Sequence, residues 1–73
     1  MINKNLLRSY MANSGHTNDS LADAIEISRV SFSYKINNKR PFNSNEISKI
    51  ARVLNLKPEE TMMIFFADDV DEK

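Results

Sequence analysis

The sequence has no cysteine, no tryptophan, one glycine, two prolines and one histidine in 73 residues. Without cysteine there is no disulfide framework and no thiolate metal site. That fits a reducing compartment. The single histidine, His16, lacks the further ligands or the orienting partner that a metal or catalytic centre needs, and it is expected to be simply solvated. No glycine-rich phosphate loop is present. Asp19 and Asp23 stand four apart on one helix face, where carboxylates are ordinarily solvated. No apolar run is long enough to span a bilayer, and the N-terminus lacks the apolar stretch of a signal peptide. These absences predict a soluble intracellular protein with no membrane partner. They also predict no cofactor, no metal and no catalytic residue.

Net charge is also lacking, because ten Lys/Arg balance ten Asp/Glu. A neutral sum argues at first against a nucleic-acid partner, but the distribution is uneven. Residues 1–57 carry nine Lys/Arg against four acids, a balance of +5, and residues 58–73 carry six acids and Lys73, a balance of −5. A basic body is followed by an acidic end. The plainer reading is a solvated surface with a charged C-terminal fray.

What is there is helical. A chain of 73 residues suffices for one domain with one small core. Apolar residues recur at helical spacing throughout, and β-branched alternation is absent. The first helix is predicted from Lys4 to Asn13, capped by Asn3 and facing the core with Leu6, Leu7, Tyr10 and Met11. Gly15 follows, where a left-handed residue costs least. The second runs from about Asn18 to Ile25 after Thr17, with Leu21, Ala22 and Ile25 inward. The third starts at its cap Ser28, buries Phe32 and Ile36, half-buries Val30, and ends at Asn37-Asn38. The fourth has the strongest start signal, a capping box of Asn43 and Glu46 stapled by Phe42 and Ile47. Its apolar stripe is Ile47, Ile50, Ala51 and Leu54, and Asn55 ends it. The fifth begins at Pro58 with Glu59 and Glu60 in its first turn, and carries Met62 through Phe66. Residues 1–67 form the expected domain, and residues 68–73 an acidic, frayed tail.

Five short helices with brief connections make a compact all-α domain. The second and third, near two turns each, have the helix-turn-helix arrangement, whose second helix can enter a DNA major groove. The span from Leu6 to Phe66 resembles the Cro and phage-repressor (XRE) helix-turn-helix family. The motif is "TNDSLADAIEISRVSFSYKINNKR", with Thr17 opening the second helix, Ala22 at the helix contact, Ser28 capping the third and Asn37 before the basic loop. "SYKINNKR" is similar to the family's Ser-x-Lys-Leu-Asn-Gly-Lys ending, and "IFF" to the end of short phage regulators of the Cro or repression-modulator kind. The resemblance implies a lambda-repressor-like fold and the cytoplasm of a host bacterial cell. Two positions depart from it. Glu26 and Asn38 stand where the family usually has glycine, and a left-handed Glu26 would cost about 1 kcal/mol or more.

The resemblance also assigns roles. Arg29, Val30, Ser31, Ser33 and Tyr34, on the first turns of the third helix, would read base edges or meet a partner. Arg29 is the candidate for a bidentate guanine contact and Val30 for a thymine methyl. Thr17, Asn18, Asn37, Lys39 and Arg40 would bind phosphates. Lys35 points away from the reading face. The fifth helix has more apolar residues than one stripe needs, so Met62, Phe65 and Phe66 form a candidate homodimer or partner patch, unless the helix is wholly buried. Two functions compete. One is a phage or prophage regulator that binds double-stranded operator DNA. The other is an anti-repressor that keeps the fold but docks on a phage repressor protein.

Overall fold

The computed structural model describes residues 1–67. The expected tail at 68–73 lies outside the described residues. Five α-helices follow in order: α1 (Lys4–Asn13), α2 (Asn18–Ala24), α3 (Arg29–Ile36), α4 (Ser44–Val53) and α5 (Pro58–Phe65). No strand occurs among the described residues, so the fold is all-α. α1 packs on α5, α2 on both α3 and α4, and α4 on α5. Leu7, Leu21, Ile25, Phe32, Ile36, Ile50 and Ile64 are fully buried at the centre. Phe42, in the loop before α4, meets the Phe32 ring edge-on at 5.9 Å and the Phe65 ring at 5.6 Å. That stack joins α3 to α5 through a residue that belongs to neither.

The helix starts follow from local chemistry. The side chains of Asn3, Thr17, Ser28 and Asn43 accept the N–H groups of Leu6, Ser20, Ser31 and Glu46 at 2.8–3.1 Å. Each satisfies one of the donors that a helix N-terminus leaves open. Thr17 has a partner the sequence pattern did not reveal. Ser20 Oγ accepts the Thr17 N–H at 2.9 Å, closing a capping box with serine in place of the usual Glu or Gln. His16 Nδ1 lies 2.9 Å from the same hydroxyl, so the ring is half-buried and engaged rather than simply solvated.

Four helices end in one way. Gly15, Glu26, Asn38 and Asn55 have φ of +74°, +66°, +63° and +56°. After each, an N–H reaches back to a carbonyl in the last turn: His16 to Met11, Ile27 to Ala22, Lys39 to Tyr34 and Leu56 to Ala51, at 2.8–3.0 Å. This is the Schellman closure, which needs a left-handed residue just past the helix. Glycine fills that place once. At Asn38 the reason for a side chain is visible, because its amide accepts the Ile2 N–H at 2.7 Å and donates to the Ile2 carbonyl at 3.3 Å. At Glu26 the return is smaller, an exposed contact with Lys49 at 3.2 Å.

Two glutamates at the third helical position do more than cap. Glu46 Oε1 accepts the Asn43 N–H at 3.0 Å, while Oε2 accepts Lys35 Nζ at 2.6 Å. Glu60 Oε1 accepts the Lys57 N–H at 2.7 Å, while Oε2 accepts the Tyr10 hydroxyl at 3.0 Å. Each carboxylate therefore ties its own helix start to a distant helix, α4 to α3 and α5 to α1. Burial pushes the Glu46 carboxyl up, but the Lys35 and Asn43 hydrogen bonds and the Lys35 and Lys49 charges outweigh it and leave it below its ordinary value. The Lys57 N–H, and then the Tyr10 hydroxyl, hold Glu60 down despite its partial desolvation, and the same bond raises the Tyr10 hydroxyl.

The Glu46 link sets a pH dependence. Its folded pKa is depressed, so its stabilisation is present above the unfolded pKa and is lost as pH falls through the folded one. Glu46→Gln keeps a capping oxygen but leaves Lys35 half-buried without a counter-charge, and should cost about 3 kcal/mol at neutral pH. Urea midpoints should show the gap between wild type and variant shrinking below the ordinary carboxylate range. A gap constant from neutral to acid pH would contradict this role.

The two departures from glycine should behave oppositely. Glu26→Gly relieves a left-handed non-glycine residue and should stabilise by up to about 1 kcal/mol. Asn38→Gly removes two hydrogen bonds and should destabilise by about 1–2 kcal/mol. Thermal melts of the pair would check it, and shifts of the same sign would refute it.

Candidate functional site

The packing of α3 decides which of its side chains remain open. Phe32 and Ile36 are fully buried, and Lys35 turns toward α4 to meet Glu46. Arg29, Val30, Ser33, Tyr34 and Asn37 are left exposed, a continuous stripe at helical spacing. Ser31, expected on this face, is half-buried at its edge. Val30, expected to be half-buried, is 65% exposed. Phe32 and Ile36, not Val30, face the core from α3.

Arg29 meets two carboxylates. Its guanidinium lies 3.5 Å from Asp19 and 3.3 Å from Asp23, both on α2. Those carboxylates, expected to be solvated, bridge the two helices. All three side chains are more than 60% exposed, so each pair contributes at most about 1 kcal/mol. One turn on, the Arg40 guanidinium stands over the Tyr34 ring at 5.3 Å. Lys39 and Arg40 are exposed and have no carboxylate partner among the described residues.

Of the other expected phosphate ligands, Thr17 and Asn37 are more occupied. Thr17 and Asn18 stand at the start of α2, but the Thr17 hydroxyl oxygen and N–H are both used in the capping box. The Asn37 amide donates to the Ser33 carbonyl at 2.8 Å and accepts Lys4 Nζ. Asn37 thus holds a cation rather than standing free for an anion. Lys4 itself was missed in the sequence. A lysine in the first turn of α1 gives no local sign that it reaches the end of α3.

The apolar patch on α5 divides. Phe65 is 5% exposed and packs edge-on to Phe42, so it belongs to the core and not to the patch. Met62, Met63 and Phe66 are 48%, 52% and 37% exposed. Phe66 lines a shallow groove of about 370 Å³ with Ile2, Phe42 and Arg40.

The family described as "Protein of unknown function (DUF739)" matches residues 6–68. The chain belongs to that family. No curated protein and no solved structure matches it. The DUF739 match takes in all five helices apart from the first two residues of α1. Among the described residues, no helix is long and apolar enough to cross a membrane, and no group of His, Asp and Glu could hold a metal ion.

Proposed function

We propose that the chain is a small helix-turn-helix regulator that binds operator DNA by laying α3 in the major groove. The observation that carries this is the exposed stripe Arg29, Val30, Ser33, Tyr34, flanked by the uncompensated cations Lys39 and Arg40. Such a helix offers hydrogen-bond donors, a methyl-bearing side chain and an aromatic hydroxyl to base edges, while the loop after it meets phosphates. The likeness of residues 17–40 to the Cro and phage-repressor motif supports the same docking, with a phage or prophage context. A homodimer through Met62 and Phe66 would supply the two-fold symmetry of an operator.

The acidic cage of Arg29 sharpens this reading. Giving up two exposed ion pairs costs at most about 1 kcal/mol each. A bidentate contact to guanine discriminates by about 1–3 kcal/mol. Arg29 therefore leaves Asp19 and Asp23 only for a well-placed base edge, while the two carboxylates repel phosphates presented out of register. The cage favours specificity over raw affinity.

A second reading has its own support. Arg29 is already neutralised, and the apolar Val30 is largely uncovered, which suits a protein surface as well as a thymine methyl. In that case the chain is an anti-repressor that docks α3 on a phage repressor.

Arg29→Ala separates the two. Selection from randomised duplexes supplies a preferred site, and circular dichroism verifies the fold of the variant. In the DNA reading the variant loses about 1–3 kcal/mol on that site, relaxes selectivity at one base pair and keeps most of its non-specific binding. In the anti-repressor reading no preferred duplex emerges, and the substitution weakens binding to the repressor instead. If neither affinity moves, α3 is not the recognition element.

A further inference from the structure

We infer that Lys4, seated on Asn37, completes a cation cluster with Lys39 and Arg40 that binds the phosphodiester backbone of duplex DNA. This rests on the DNA reading above and adds a contact from α1, which the helix-turn-helix pair does not include.

Lys4 and Asn37 are 33 residues apart, and several bonds bring them together. The Ile2 backbone pairs through both its N–H and its carbonyl with the Asn38 amide, at 2.7 and 3.3 Å. The Asn3 N–H donates to the Ile64 carbonyl at 2.7 Å, which fixes the same segment from the side of α5. Asn37 is itself oriented, because its amide nitrogen is committed to the Ser33 carbonyl at 2.8 Å, turning its oxygen toward Lys4 Nζ. The ammonium keeps two further donors after that bond. Lys4 thus has a defined seat beside the last turn of α3.

The two ends of α3 differ in charge balance. At its start, Arg29 is matched by Asp19 and Asp23. At its end, Lys4, Lys39 and Arg40 have no carboxylate partner among the described residues. Lys35, in the same turn, is matched by Glu46 and drops out of the count. The partial negative charge of a helix C-terminus tolerates these cations, and their like charges favour an added anion. A phosphate of the strand flanking the groove stands where a helix lying in that groove ends. Lys39 and Arg40 follow the helix on the chain, and Lys4 adds a third positive charge from a separate element.

The test is the salt dependence of binding to a random-sequence duplex two helical turns long, followed by fluorescence anisotropy. Each released counterion contributes about 0.9 to the slope of log K against log salt. Lys4→Ala and Lys4→Gln should each flatten that slope by about one unit, equally on random and selected duplexes, while Lys4→Arg keeps it. Lys4→Gln retains a donor for Asn37, so a loss in both variants reports charge and not fold. Poly-glutamate at matched charge should not displace the duplex. If wild type shows no salt-dependent duplex binding, the DNA reading fails and this inference with it. If wild type binds and both neutral variants keep its slope, only the assignment of Lys4 falls; if poly-glutamate displaces the duplex, the DNA reading falls with it.

Discussion

The Glu46 carboxylate is the point on which the rest of the arrangement depends. One oxygen closes the first turn of α4, and the other takes the Lys35 ammonium from α3. The pair is largely removed from water, with side chains only 15% and 10% exposed. Burying two charges costs several kcal/mol unless their geometry is good and other bonds satisfy them, and here the Asn43 N–H supplies such a bond. The consequence reaches the surface. With Lys35 drawn toward α4 and Phe32 and Ile36 in the core, the rotation of α3 about its axis is fixed. Arg29, Val30, Ser33 and Tyr34 then have nowhere to go but outward. Glu60 repeats the device between α5 and α1, where its Tyr10 partner is neutral and exposure is greater.

This arrangement places the chain's charge unevenly even though its sum is zero. Four acids and three cations pair within the fold: Asp19 and Asp23 on Arg29, Glu26 on Lys49, and Glu46 on Lys35, with Arg29 shared. Among the described residues, what remains uncompensated beside α3 is positive and sits at its C-terminal end. Net charge is thus a poor guide to a partner in a chain this small. The distribution after internal pairing is the physically relevant quantity.

Much of the fold was legible because its signals are local. Asn3, Thr17, Ser28 and Asn43 mark helix starts by hydrogen bonds that span three residues, and the structure places those starts where the sequence did. The apolar positions Leu7, Leu21, Phe32 and Ile50 followed from helical spacing. The failures share a different cause. Phe65 and Phe66 are adjacent and equally apolar, and only the position of Phe42 decides which one turns in. The Asp19–Arg29–Asp23 bridge depends on how α2 crosses α3. The second oxygen of Glu46, like the seat of Lys4, answers to a residue on another helix. None of these can be read from spacing along one segment. At Asn38 the pattern suggested a tolerated substitute for glycine, whereas the side chain has a structural task of its own.

The claim that matters most is that the exposed face of α3 is the surface that recognises DNA. Backbone amide spectra of the isotope-labelled chain, recorded during titration with a selected duplex, test it residue by residue. The account predicts the largest shifts at Arg29, Val30, Ser33, Tyr34, Lys39 and Arg40, with Met62, Met63 and Phe66 affected only if two copies meet on the duplex. Shifts confined to α5, or no shifts while a repressor protein perturbs α3, would contradict it.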